Sequence, residues 1–149
     1  MTLPNSQSVL HATALSDASL VCSLNYEERF LRRKVLNADD GTRFLVDLEH
    51  TTSLNHGDGF ALSDGTKVVV KAAAEELLEV TGKDLVRLAW HIGNRHTPCQ
   101  INFDRLLIQR NHVLEDMLKK LGATIRHVVE PFTPEGGAYG HGRTHGHSH

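Results

Sequence analysis

Histidine is the residue type in this chain whose number and spacing point most directly to chemistry. The chain contains 11 histidines, and His141, His145, His147 and His149 fall within its last nine residues. Neutral imidazole binds borderline metal ions such as Ni²⁺, Cu²⁺ and Zn²⁺. Because glycine and serine separate the last three histidines, a flexible backbone can bring two or three imidazoles onto one ion. The composition of the tail predicts metal binding but does not indicate which of these metals is bound.

An engineered purification tag is the alternative explanation of this tail. Such a tag is normally an unbroken run of histidines, whereas arginine, threonine, glycine and serine interrupt this one. The interruptions favour a native metal-binding segment.

A second candidate ligand is His96, within the segment Gly93-Asn94-Arg95-His96-Thr97-Pro98. Gly93 is expected to end a helix, and Pro98 restricts Thr97 to extended geometry. We therefore expect His96 on a tight, exposed bend, where the end of the helix mildly favours a cation. By composition alone, an ordinary loop histidine is the favoured explanation of this segment.

Composition excludes several classes of protein. With 16 Lys+Arg against 18 Asp+Glu and only 5% aromatic residues, the chain lacks the charge and the stacking surface of a nucleic-acid-binding protein. Its two cysteines form no CxxC pair, which argues against a disulfide framework or a thiolate zinc site. No basic flank of a signal peptide and no apolar run long enough to span a membrane is found, so we expect a cytoplasmic protein.

The first half of the chain has the patterning of β-strands. Apolar side chains alternate with others over residues 44–48 and 68–72, the period of a strand with one buried face. Asp40-Gly41 and Asp64-Gly65 fall between such runs, and Asp-Gly supplies the positive φ angles of tight hairpins. We predict an all-β domain over residues 1–72.

Residues 73–135 show a mixed pattern. Two helices are expected, the second with Asn111 as its N-cap and Gly122 just beyond its end. Their apolar stripes are Leu85, Leu88, Ala89 and Ile92 in the first helix and Val113, Leu114, Met117, Leu118 and Leu121 in the second. Strands are expected at 77–80, 98–103, 106–109 and 124–129. The order β-α-β-β-α-β is that of ferredoxin-like domains.

The predicted fold class is therefore α+β. An all-β N-terminal domain is followed by a ferredoxin-like metal-binding domain and, over residues 136–149, by a disordered His-rich tail. The tail is expected to be mobile because its last nine residues have no apolar side chain to bury.

Five segments carry a family resemblance: Gly57-Asp58-Gly59, Asp64-Gly65-Thr66-Lys67-Val68-Val69-Val70-Lys71-Ala72-Ala73, Ala89-Trp90-His91-Ile92-Gly93-Asn94-Arg95-His96, His112-Val113-Leu114-Glu115-Asp116-Met117-Leu118 and Pro131-Phe132-Thr133-Pro134-Glu135-Gly136-Gly137-Ala138-Tyr139. Together with the His-rich tail, they resemble the urease accessory protein UreE family of cytosolic nickel metallochaperones. The resemblance covers residues 25 to 149, and the combination of Gly-Asn-Arg-His with a His-rich tail is what makes it specific.

The resemblance implies a non-enzymatic nickel chaperone that acts as a symmetric homodimer. His96 corresponds to the family's central metal ligand, and its two copies meet across the dimer axis, where tail histidines could complete the ligand shell. The ion would pass to the GTPase UreG and on to the urease apoprotein, and the β-rich domain over residues 1–72 would serve partner or peptide contacts.

A peripheral site is implied less completely. Some family members carry two histidines, two residues apart, just before the second helix. His112 matches the later one, but Arg110 replaces the earlier one, and arginine is not a metal ligand at neutral pH. His112 is therefore either a ligand or a lone surface imidazole.

Two other function classes remain as alternatives. A general nickel or zinc buffer would hold several ions on the tail and need no partner. A small metallohydrolase would need three convergent ligands and a carboxylate base, but the chain has no HExxH, GxSxG or GxxxxGK[ST] motif.

Overall fold

The polypeptide divides between Ala73 and Ala74 into two units in the computed structural model, which describes residues 2–136. The predicted tail ligands lie outside the described residues; they are His141, His145, His147 and His149. Within residues 2–136, no helix is both long and apolar enough to cross a membrane.

The first unit consists mostly of β-strands. Its strands are β1 (Asn5–Ser6), β2 (Val9–Leu10), β3 (Leu20–Leu24), β4 (Phe30–Asn37), β5 (Arg43–Ser53), β6 (Gly59–Ala61) and β7 (Lys67–Ala72), with a short 3-10 turn at Ala12–Ala14. They form a three-stranded sheet in the order β1-β5-β4 and a four-stranded sheet in the order β2-β6-β7-β3. The alternating apolar side chains are buried as predicted, among them Phe44, Val46, Val68 and Val70.

The two Asp-Gly pairs form the predicted hairpin turns. The glycines of Asp40-Gly41 and Asp64-Gly65 have φ angles of 93° and 89°. In each turn the aspartate side chain accepts a hydrogen bond of 2.9 Å from a backbone N–H two residues later, that of Thr42 or Thr66. These hydrogen bonds hold the pKa of both carboxyl groups below the ordinary value.

The second unit is a mixed α/β unit. Its elements are β8 (Ala74–Thr81), α1 (Leu85–Asn94), β9 (Gln100–Ile101), β10 (Leu106–Gln109), α2 (His112–Lys120) and β11 (Thr124–Pro131). The sheet has the order β11-β8-β10-β9, and all its neighbouring strands are antiparallel. Both helices pack against one set of strand side chains, in a core of Leu78, Val80, Leu88, Ile92, Leu106, Ile108, Leu114 and Leu118.

Two sequence predictions were too broad in this unit. Val113 and Leu121 belong to the predicted stripe of the second helix, yet they are 59% and 43% exposed, because the sheet contacts a narrower stripe of α2. The strand predicted over residues 98–103 is only Gln100–Ile101. A turn in which the Asn102 N–H bonds to the Arg105 carbonyl, at 3.0 Å, follows it immediately.

Candidate metal centre

Helix α1 positions His96. The helix begins after Asp84, whose side chain caps it by accepting a hydrogen bond from the Arg87 N–H at 3.2 Å. It was predicted to end at Gly93 but continues to Asn94. Gly93 lies inside the helix and does not have a positive φ.

The left-handed residue that reverses the chain is His96 itself. Its φ is 57°, and its N–H bonds to the Gly93 carbonyl at 3.0 Å. A non-glycine residue adopts this conformation at a cost of about 1–2 kcal/mol. Where a helix ends on a left-handed residue, that residue is usually glycine. A histidine in this conformation raises the conformational energy of the chain, which points to a function for its side chain.

The surroundings of the bend favour a bound cation. The imidazole is on an exposed residue, directly beyond the last turn of α1. Carbonyl groups at the C-terminal end of a helix carry partial negative charge, which stabilises a nearby cation by about 0.3–1 kcal/mol. The predicted tight, exposed bend is therefore present.

Large apolar side chains are exposed on both sides of His96 in sequence. Val86 and Trp90, one turn apart on α1, are 83% and 62% exposed. Ile101 and Phe103, at the end of β9 and in the turn after it, are 52% and 103% exposed. The Trp90 ring meets the His91 ring edge-on, with centroids 5.0 Å apart. Exposed apolar side chains concentrated in one segment are typical of a surface that is covered by a partner.

His112 lies at the N-terminal end of a helix, whereas His96 follows a C-terminal end. It is the first residue of α2 and is exposed, while the Asn111 side chain caps the helix as predicted, accepting from the Val113 and Leu114 N–H groups at 2.9 and 3.1 Å. The partial positive charge of a helix N-terminus disfavours a bound cation.

Arg110 supports the strands beside His112. Its guanidinium donates to the Leu77 carbonyl at 3.2 Å and to the Val128 carbonyl at 3.1 Å, and it lies 3.5 Å from a Glu76 carboxylate oxygen. The arginine therefore links β8 and β11, and its charge lies beside the Glu76 carboxylate.

The other described histidines lie outside the candidate centre. His127 on β11 is hydrogen-bonded to Glu115 on α2 at 3.0 Å, and the His56 Nδ1 accepts the Ala72 N–H at 3.0 Å. His11 and His50 are exposed residues of the first unit.

The cysteines are packed rather than ligating. Cys22 is fully buried and Cys99 packs against the core of the second unit. Burial raises the pKa of both thiols to about 11, which disfavours the thiolate that a metal needs. Within residues 2–136, no three His, Cys, Asp or Glu side chains are grouped so that they could hold a metal ion.

The sequence prediction missed a segment that we call the C-terminal strap, residues 132–136. It has no regular structure, but Phe132 is fully buried within it. The Thr133 N–H bonds to the Gln100 side-chain oxygen at 2.8 Å, and the Glu135 N–H bonds to the Cys99 carbonyl at 2.9 Å. The two prolines and two glycines within residues 131–137 of the sequence indicated only the absence of helix and strand.

Comparison with known proteins identifies relatives of both units. The family model of the N-terminal domain of the UreE urease accessory protein matches residues 4–73, and that of its C-terminal domain matches residues 75–149. A urease accessory protein UreE from Ruegeria pomeroyi is 62% identical over 149 residues, which is the whole of both chains. One from Cereibacter sphaeroides is 63% identical over 126 residues, 85% of this chain and 69% of the relative.

Proposed function

Because this chain belongs to the UreE family of urease accessory proteins, we propose that it acts in urease maturation as a chaperone that delivers Ni²⁺. The ion is the cargo, and His96 is its central ligand. The observation that carries this assignment is the left-handed His96 at the end of α1, where the fold accepts a conformational cost and exposes an imidazole.

The delivery site requires two chains. One imidazole is a weak site, whereas a two-fold axis through the bend brings two copies of His96 together. The exposed Trp90 and its neighbours support this homodimer, because tryptophan is enriched among the residues that contribute most to protein interfaces.

The remaining ligands come from the His-rich tail and from a weaker candidate position. Tail histidines complete the shell around the two imidazoles, with His141, His145, His147 and His149 as the candidates. His112 is a further candidate ligand. Zn²⁺ and Cu²⁺ are expected to compete with Ni²⁺, because all three bind imidazole. A ligand shell that includes tail histidines, which can exchange with other ligands, suits a protein that must release its ion.

Each of the two units has its own role in this proposal. The second unit, whose strand order β11-β8-β10-β9 fits a ferredoxin-like domain, binds the metal and forms the dimer. The mostly-β first unit contacts partners. The recipients are the GTPase UreG and the urease apoprotein, in the cytoplasm, and the protein itself catalyses no reaction.

Native mass spectrometry of the full chain during a Ni²⁺ titration tests this proposal. We expect a dimer with a tight site shared by two chains. Trp90→Asp should yield monomers that lack this site, whereas Val113→Asp, which places the same charge on the exposed face of α2, should remain dimeric.

Delivery itself is measured by urease activation with UreG and the apoprotein, which Trp90→Asp should reduce and Val113→Asp should not. A chain that stays monomeric at every nickel concentration would contradict the proposal. If monomeric Trp90→Asp bound as many ions as the wild type and as tightly, the protein would be a tail-borne nickel or zinc buffer instead.

A further inference from the structure

Strand β4 forms one edge of the three-stranded sheet in the first unit, because the strand order is β1-β5-β4. It is eight residues long, whereas β1 at the opposite edge has two residues. Among the described residues, only β5 forms backbone hydrogen bonds with residues 31–36. We call the side of β4 that faces away from β5 the open edge, since such an edge presents unpaired N–H and C=O groups.

The edge strand β3 of the four-stranded sheet shows how the same unit closes an edge. The Asp39 N–H donates to the Val21 carbonyl at 2.7 Å, and the Asp39 carboxylate accepts from the Ser23 N–H at 2.9 Å. These two hydrogen bonds occupy backbone groups of β3 that a further strand would need. Within residues 2–73, β4 is therefore the long edge strand that a partner can still extend.

Consecutive basic residues occupy the middle of β4. Arg32, Arg33 and Lys34 are all exposed, and none of them forms a salt bridge with another described residue. Asp47 lies opposite Arg33 on β5, so the positive charge of the strand is only partly offset. A second copy of β4 would bring like charges together, which destabilises cross-strand pairs. The charge therefore favours an acidic partner over self-association.

The regular part of β4 specifies the partner further. The register with β5 is irregular between Leu31 and Arg33 and continuous from Arg33 to Asn37. Because side chains alternate along a strand, Arg33 and Val35 share one face of the sheet. Val35 is 37% exposed on that face. An added strand would therefore be selected by acidic side chains near the basic residues and by an apolar side chain beside Val35.

We propose that the open edge of β4 binds an extended, acidic segment of a partner protein as an additional β-strand. Backbone hydrogen bonds provide the affinity, and the side chains of Arg33, Lys34 and Val35 provide the selectivity. This inference rests on the proposed function in one respect, the assignment of partner contacts to the first unit. Its test uses neither nickel nor a urease protein, so the two can fail separately.

Fluorescence anisotropy of a labelled peptide, titrated with the full metal-free chain at low salt, tests the role of charge. In the peptide, alternating valine and threonine are followed by consecutive glutamates. Lys34→Glu should weaken binding about fivefold, and adding Arg32→Glu should enlarge the loss. The matched control is Lys71→Glu, the same change at an exposed residue of β7, which should stay within about twofold of wild type.

Peptides that are N-methylated at alternate positions test backbone pairing. Methylation removes N–H donors, and an added strand turns only every second N–H toward β4. One set of alternate methyl groups should therefore weaken binding by about tenfold or more, while the other set, on the outer side, should have a much smaller effect. Amide hydrogen exchange within residues 31–36 should also slow when the unmethylated peptide is bound.

Each contrary outcome overturns the inference and indicates a different cause. Equal affinity of the two methylated peptides would show attraction between charges without strand addition. Equal losses in Lys34→Glu and Lys71→Glu would place the binding elsewhere on the protein. Tighter binding of a single-stranded oligonucleotide with the same number of charges would indicate a nucleic-acid partner. No binding of any peptide would leave the basic residues as protection against edge-to-edge aggregation.

Discussion

His96 and His112 are exposed histidines at opposite kinds of helix end within one unit. His96 follows the C-terminal end of α1 in a left-handed conformation, six residues after the exposed Trp90. His112 begins α2 in ordinary helical geometry, two residues after an arginine. The first end presents partial negative charge to a cation and the second presents partial positive charge.

The difference shows that residue type alone does not make a ligand. Both residues are exposed, but backbone conformation singles out His96, and helix polarity favours a metal at His96 and opposes one at His112. Glycine would adopt the left-handed conformation of His96 at a lower conformational cost.

The largest expected effect is on nickel affinity. His96→Ala should weaken the tightest nickel site about a hundredfold, or nearly 3 kcal/mol, because both copies of the central imidazole are lost. His112→Ala, the matched change at the other helix, should stay within about twofold. Calorimetry measures the nickel affinity of both variants. Similar losses of affinity in the two would contradict the proposed difference between the two helix ends.

A second peripheral imidazole should create a new site at α2. Arg110→His places a histidine two residues before His112 in sequence, so we expect one additional, weaker nickel ion per chain. The change should also cost about 1 kcal/mol of unfolding free energy, because the hydrogen bonds to Leu77 and Val128 are lost.

Native mass spectrometry counts the added ion. Lys120→His, at the far end of α2, is the control and should add none. No added ion in Arg110→His would mean that helix polarity, rather than Arg110, prevents binding at His112.

Glycine substitutions should change stability in opposite directions at the two ends. His96→Gly relieves the left-handed strain and should raise the free energy of unfolding by about 1 kcal/mol. His112→Gly lowers the helix propensity of the first turn of α2 and should reduce it by about 0.5 kcal/mol. Urea unfolding of the metal-free proteins, at one protein concentration, measures both. A loss of stability in His96→Gly would show that its φ of 57° is not strained.

The smallest effect concerns Glu115, one turn after His112. Its hydrogen bonds to Lys119, and then to His127, hold the pKa of the carboxyl group below the ordinary 4.5. A lowered pKa means that the carboxylate stabilises the fold at neutral pH, and that this contribution disappears as the pH falls below 4.5 and through the lowered value.

Urea unfolding at pH 7 and at about pH 3 measures this dependence. Glu115→Gln should be less stable than the wild type only at the higher pH, whereas Asp116→Asn, the neighbouring exposed carboxylate, should change little at either. A deficit in Glu115→Gln that is the same at both pH values would exclude the charge as its cause.

Local patterns in the sequence predicted much of the secondary structure. The Asp-Gly hairpins, the Asn111 cap and the buried positions Leu88, Ile92 and Leu114 depend on short-range backbone preferences and helical period. The end of α1 was misplaced because glycine is the residue type that most often takes the left-handed position after a helix. The conformational freedom of Gly93 alone does not show whether it adopts that conformation in the folded chain. Val113 and Leu121 were assigned to the core because periodicity does not give the width of the sheet that covers a helix.

By itself, the sequence determined the histidines, their spacing, the exposed bend and membership of the family. Only the tertiary structure decided that His96 takes the left-handed position and that the strap lies beside Gln100, 33 residues away in sequence. The physical reason is that a contact between distant segments has no local pattern. It forms when β11, β8, β10 and β9 assemble in one order, and their combined packing compensates for the entropy lost in closing the chain.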